Sequence, residues 1–222
     1  MLSPVDCAVL FDLDGVIVDT KSAHFASFAQ LGAEVGYAIS AEQFKHIFGR
    51  HNRDIFPILY GRPLPVEEVD ALADRKEALF RDLIRGQVTA LPGVAALLPT
   101  LCAAGFRLAI GTSTPRANVD LILESLHFFP YFQAIISAEN VSIGKPDPQV
   151  FLLAAAALDR PPAHCVVVED AVAGVQAALS GGMHALAVTT NHSRHDLRHA
   201  ARVVDSLAEV GPEAFLELIT GI

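Results

Sequence analysis

The chain is poor in the features that mark several large classes of protein. It has only three cysteines in 222 residues. Cys7, Cys102 and Cys165 are far apart, lie in apolar surroundings and make no Cys-x-x-Cys spacing. That argues against a disulfide framework and a cysteine-based metal or redox motif, and reads as reduced core thiols in a cytosolic protein. Basic residues are scarce: 16 Lys and Arg face 25 Asp and Glu, a net charge of −9. This balance argues against nucleic acid or an anionic membrane as main partner, while a local Lys or Arg can still hold an anionic substrate. The longest purely apolar run, residues 150–158, is far too short to span a bilayer. The opening Met1-Leu2-Ser3-Pro4-Val5-Asp6 has neither the basic region nor the apolar core of a signal peptide, so a cytoplasmic location is expected. There is no internal repeat and no low-complexity tract. Charged residues are 18% and hydrophobic ones 52%, enough for a sizeable core and against disorder.

The stretch that organises the rest is Val9-Leu10-Phe11-Asp12-Leu13-Asp14-Gly15-Val16. Its apolar half reads as a buried parallel strand. Its acidic half then lies past the strand's carboxyl end, where open α/β sheets bind ligands. Alternation points Asp12 and Asp14 the same way. Two carboxylates held together need a cation between them or a shared proton; the competing reading is an Asx turn that caps the next helix.

Residues 21–87 read as helical throughout, with His24, Phe25, Phe28 and Leu31 at helical spacing and a capping signal at Ser40-Ala41-Glu42-Gln43. From residue 91 the pattern alternates. Helices are expected to 103 and over 118–126, 147–158 and 171–179. Strands are expected over 106–111, 134–137, 165–168, 185–188 and 202–204. Alternation at this spacing predicts an α/β fold, a doubly wound, Rossmann-like parallel sheet. Residues 1–18 and 89–222 would form the core, and 19–88 an inserted small helical cap domain.

In such a sheet the strand carboxyl ends converge. The residues there are Asp12 and Asp14; Thr112, Ser113 and Thr114; Lys145 beyond the third strand; and Glu169 with Asp170. Hydroxyls and lysine suit phosphate oxygens, and carboxylates suit Mg²⁺, so the set fits phosphoryl transfer. Each piece alone has a structural explanation as a strand-end bond, a turn or an N-cap; their joint arrival at different strand ends favours a site.

The motifs Asp12-Leu13-Asp14-Gly15-Val16, Thr112, Lys145-Pro146-Asp147-Pro148 and Val168-Glu169-Asp170-Ala171-Val172-Ala173-Gly174-Val175 span nearly the whole chain. Together they resemble the haloacid dehalogenase superfamily, in the branch that includes β-phosphoglucomutase and small-metabolite phosphatases. The resemblance implies Asp12 as a nucleophile that carries an aspartyl-phosphate and Asp14 as acid and base, the latter needing a raised pKa. It implies Mg²⁺ held by Asp12, the backbone carbonyl of Asp14 and Asp170, with Glu169 close by or acting through water. Thr112 and Lys145 would grip the phosphoryl group, with Ser113 and Thr114 beside it. Thr20 and His24 would sit at the hinge. Gly49-Arg50-His51-Asn52-Arg53-Asp54 and Lys76 would meet the substrate's far end, Arg53 and Lys76 foremost, while Arg75 reads as solvated charge. The cluster Thr112-Ser113-Thr114-Pro115-Arg116 departs from the mutase pattern of a serine pair followed by Lys-Asn, and the 49–53 loop looks one residue longer.

The expected function is therefore a Mg²⁺-dependent phosphatase of a small phosphorylated metabolite, a sugar phosphate foremost. A β-phosphoglucomutase-like mutase is the alternative, and a phospho-accepting signalling module a remote third. A monomer is expected rather than an obligate oligomer. His192, His195 and His199 lie at helical spacing and read as a solvated polar face rather than a zinc site.

Overall fold

The structure, a computed structural model, describes residues 2–48, 50 and 52–221. Six strands form one sheet: β1 (Ala8–Phe11), β2 (Arg107–Gly111), β3 (Ala134–Ile136), β4 (Cys165–Glu169), β5 (His184–Val188) and β6 (Arg202–Val204). Their order is β3-β2-β1-β4-β5-β6, and every neighbouring pair is parallel. This is the doubly wound α/β architecture. β1 lies in the middle, buried at every residue. Because side chains alternate across a strand, Val9 and Phe11 share one face with Leu108, Ile110, Val166 and Val168. Ala8 and Leu10 share the other with Ala109 and Val167. The first face is covered by α5 (Val94–Ala104), α6 (Arg116–Leu126) and α9 (Pro212–Thr220); the second by α7 (Gln149–Ala157) and α8 (Val172–Ser180). Helices on both faces explain why the strands read as continuous apolar runs.

Between β1 and α5 come α1 (Lys21–Val35), α2 (Ala41–Ile47), α3 (Asn52–Tyr60) and α4 (Val66–Ile84). They bury their own cluster, including Phe28, Leu31, Phe44, Ile47 and Phe56. The start of α2 is a reciprocal cap: Gln43 N–H donates to Ser40 Oγ at 3.1 Å, and Ser40 N–H to Gln43 Oε1 at 2.9 Å.

Three expectations need correction. Arg53 belongs not to a loop but to the first turn of α3. Residues 189–200 form turns and bends, not a helix, so the three histidines share no helical face. The helix α9, whose Phe215 is fully buried beneath the sheet, had no counterpart in the sequence reading. Gly49 and His51 lie outside the described residues.

Candidate active site

The strand order reverses direction between β1 and β4, and a crevice opens there at the carboxyl ends. Asp12 follows β1 directly, and its N–H still bonds the Val168 carbonyl at 3.0 Å, so β4 dictates its position. Glu169 closes β4 and Asp170 comes next. One carboxylate oxygen from each of Asp12, Glu169 and Asp170 lies within 4.8 Å of the others, all three residues buried. Two glycines make the room. Gly15 has φ +82°, and a Cβ there would run into the Asp170 carboxylate. A Cβ on Gly174 would occupy the same space as the Glu169 carboxylate.

Lys145 Nζ lies 2.6 Å from Glu169 Oε1 and 3.1 Å from Asp12 Oδ1. The other Glu169 oxygen accepts the N–H groups of Asp170 and Ala171, both at 2.9 Å. Glu169 is thus already satisfied. Asp170 receives Asn191 Nδ2 at 2.7 Å. Asp12 Oδ1, by contrast, has Lys145 Nζ at 3.1 Å but no well-aligned hydrogen-bond donor. Burial, partly offset by Lys145 and reinforced by Glu169 and Asp14, pushes Asp12 up to about 7. Burial and the charges of Glu169 and Asp12 hold Asp170 well above the ordinary carboxylate range. Lys145 is raised as well, but in the sense that keeps it charged: burial disfavours its charge, and Asp12 and Glu169 outweigh that and hold it above the usual lysine value. Three carboxylates around one lysine leave excess negative charge. An oxygen without a donor among hard carboxylate ligands is what a bound Mg²⁺ requires, so these residues fit the ion.

Asp14 sits differently. Its side chain is not in that cluster. Its two oxygens accept short hydrogen bonds from the hydroxyls of Thr20 and Thr114, and His24 Nε2 stands 3.6 Å away. Burial raises its pKa, but the contacts with His24, Thr114 and Thr20 prevail and hold it down at about 2. The raised pKa expected for Asp14 is therefore not found; it is an ionised acceptor here.

Of the remaining residues named from sequence, Thr112, Ser113 and Thr114 line the same cleft, a cavity of about 450 Å³. Thr112 Oγ1 accepts the Thr114 N–H at 3.2 Å. Lys76, expected at the substrate's far end, lines this cleft but is nearly buried in its wall, 2.6 Å from His24 Nδ1. Arg53 is exposed, does not line this cleft and donates to the Ser142 carbonyl at 3.3 Å. Lys45, His46 and Arg50 line the cleft's outer part instead. Arg75 pairs with Glu34 on the surface. His192, read as solvated, lines the cleft, with Nδ1 3.0 Å from the Asp170 carbonyl; His195 is exposed. Glu77, Asn118 and Asn191 were missed: the first two are polar side chains within helices and carry no strand-end signal, whereas Asn191 lies three residues past the end of β5, a strand-end position that could have found it.

A reversing parallel sheet with paired acids after its first strand, a lysine and two further acids on adjoining segments and a helical insert defines a class of α/β hydrolases. Residues 8–182 match the family described as haloacid dehalogenase-like hydrolase, and the chain belongs to that family. It is 35% identical over 188 residues to the β-phosphoglucomutase of Bacillus subtilis, covering 82% of each chain. It is 30% identical over 219 residues to the phosphorylated carbohydrates phosphatase of Thermotoga maritima, covering 96% of this chain and 97% of that one. The crystal structure of CbbY from Rhodobacter sphaeroides in complex with xylulose-(1,5)bisphosphate superposes with a TM-score of 0.87 at 26% identity, over 97% of this chain and 99% of that one. Among the described residues no helix is long and apolar enough to cross a membrane.

Proposed function

We propose that the protein is a Mg²⁺-dependent phosphatase of small phosphorylated sugars that works through an aspartyl-phosphate on Asp12. One observation carries this reading. Asp12 presents a buried oxygen without a donor, beside Lys145 and two further carboxylates, with a second acid of opposite tendency two residues on. The relatives described as acting on phosphorylated carbohydrates and on a sugar bisphosphate support the substrate class.

Asp12, Asp170 and the Asp14 carbonyl would hold Mg²⁺, with Glu169 behind them. The bound ion supplies charge that favours the ionised Asp12 and shields the phosphate from it. An Asp12 oxygen then attacks phosphorus, and the bond from phosphorus to the leaving oxygen breaks. Lys145 and the Thr112 and Ser113 region hold the non-bridging oxygens. In the second half water attacks phosphorus, the Asp12–phosphorus bond breaks, and the ionised Asp14 takes the water's proton. Asp14 is ionised as it stands and can accept that proton, but a carboxylate held near 2 is a weak base, so this half too needs its donors loosened. The acid half needs a proton on Asp14: a substrate that draws it away from Thr20 and His24 removes the donors that stabilise the anion and leaves burial to raise its pKa. The four-helix insert is the cap over this cleft, and its closure sheds water.

The second reading is a β-phosphoglucomutase-like mutase, favoured by the Thr20–Asp14–His24 contacts and by the B. subtilis relative. The 112–116 cluster, unlike that of the mutases, favours a phosphatase. A panel of phosphorylated metabolites with Mg²⁺ tests both. Phosphate release that needs Mg²⁺ and disappears in Asp12→Asn supports the first. Conversion of β-glucose 1-phosphate to glucose 6-phosphate without release supports the second. Turnover by Asp12→Asn near the wild-type rate refutes the nucleophile.

A further inference from the structure

Behind Asp14 the contacts run inward. His24 stacks on Phe80, ring centroids 3.9 Å apart, and its Nδ1 meets Lys76 Nζ. With Lys76 as an ammonium, which only donates, Nδ1 accepts and the ring proton lies on Nε2, toward Asp14. Lys76 has no water to solvate it: it is 2% exposed, over the rings of Phe28 and Phe80. Its counter-charge is Glu77, also buried, at 2.9 Å.

Glu77 does more than balance Lys76. Its Oε1 also accepts from Asn52 Nδ2 of α3 at 2.7 Å. Its Oε2 accepts from Asn118 Nδ2 at 2.6 Å. Asn118 belongs to α6, in the core, and is completely buried. The other end of its amide, Oδ1, accepts from Arg81 at 2.9 Å. Glu77 and Arg81 are one turn apart on α4, one anionic and one cationic. A single amide with a donor end and an acceptor end fits both in one orientation only, so Asn118 reads the rotation and the height of α4. α6 begins just after Thr114, whose hydroxyl holds Asp14. The contacts therefore close a ring: Asp14, His24, Lys76, Glu77, Asn118 and, along the backbone, Thr114.

We propose that Glu77 and Asn118 are positioning residues whose hydrogen bond sets α4 of the insert against α6 of the core in the register that presents Lys76 to His24 and His24 to Asp14. This rests on Asp14 as the acid and base of the reaction.

Reversing the bond's polarity tests it. Glu77→Gln sets an amide N–H against that of Asn118. Asn118→Asp sets a carboxylate against Glu77. Combining them exchanges donor and acceptor at unchanged total charge. The new amide's oxygen takes Lys76 and Asn52, its N–H donates to the new carboxylate, and that carboxylate still takes Arg81. Each single substitution should lower kcat about tenfold or more, with KM moved less than about threefold, since a small misplacement of a reacting group costs rate rather than binding. The double variant should return to within about threefold of wild type. Singles at the wild-type kcat, or a double variant no better than the worse single, overturn the proposal. If a single fails to give a cooperative melt, Arg81→Met, at a half-buried residue, carries the test. A fall in kcat of about threefold supports the proposal and an unchanged kcat overturns it. If the wild type releases phosphate from no substrate, the function proposed above fails, and the imidazole ¹⁵N spectrum of His24 decides on its own. A proton on Nε2 in the wild type and double variant that is redistributed in the singles supports the register; spectra identical in all four overturn it.

Discussion

Two buried groups of charges flank Asp12-Leu13-Asp14, and they are built on opposite terms. On one side Asp12, Glu169 and Asp170 crowd a single lysine, and repulsion added to burial lifts Asp12 to about 7 and Asp170 well above normal. On the other side Asp14 and Glu77 are surrounded by hydroxyls, amides, His24 and Lys76. Burial opposes ionisation there too, yet the donors win; Asp14 falls to about 2 and Glu77 below its ordinary value. The first group has more acids than its one lysine balances, and the second has a donor for each carboxylate oxygen. An unsatisfied group is one prepared for a ligand, and a satisfied one keeps its neighbours in place.

That contrast can be broken from either side. Asp12→Asn removes the nucleophile, and phosphate release should fall by about three orders of magnitude or more. Lys76→Met leaves Glu77 without its cation in an apolar site and should cost about 3–5 kcal/mol in urea unfolding. On the open side, Mg²⁺ at a hundredfold excess over its Kd should stabilise the fold by about 2.7 kcal/mol. Asp170→Asn should abolish that gain and, without metal, be neutral or stabilising, because it relieves repulsion; a calorimetric melt with and without Mg²⁺ reads both.

The pH dependence separates the two groups by sign. Asp12, raised to about 7, holds a proton in the metal-free fold that the unfolded chain has released above about 3.9. Its contribution is full below that value and lost as pH rises through 7. Asp14, lowered to about 2, contributes above about 3.9 and loses this as pH falls through 2. Urea midpoints from pH 2 to 8 should show both flanks, and Mg²⁺ should remove only the neutral one. The smallest effect belongs to Arg75→Ala, next to Lys76 in sequence. Its ion pair with Glu34 is half exposed, and its loss should cost less than about 1 kcal/mol.

The same contrast explains what could be read before any coordinates. Asp12, Asp14, Thr112, Lys145, Glu169 and Asp170 each follow or adjoin an apolar run, and a parallel sheet gathers such ends at one edge whatever the loops do. Glu77 and Asn118 have no such mark. A glutamate beside an apolar stripe reads as solvated, and only the docking of α4 on α6 buries it. Arg53 misled because α3 begins at Asn52, and the helix turns that side chain away from the cleft while Arg50 lines it. The donors that hold the Asp14 pKa down were not legible, because two hydroxyls and an imidazole are brought to it from separate segments. α9 escaped notice because Gly211-Pro212 reads as a turn.

The central position of β1 has a consequence for synthesis of the chain. The strand that leads into Asp12 is made before both of its sheet neighbours, which arrive from residue 107 on one edge and residue 165 on the other. A nascent or truncated chain that ends before β4 carries an open apolar edge where the sheet should continue, a template for aggregation. It also carries Asp12 without Glu169 or Asp170. The acidic cluster is therefore complete only once β4 and the residue after it have been made, and a fragment lacking them keeps the exposed edge without the site.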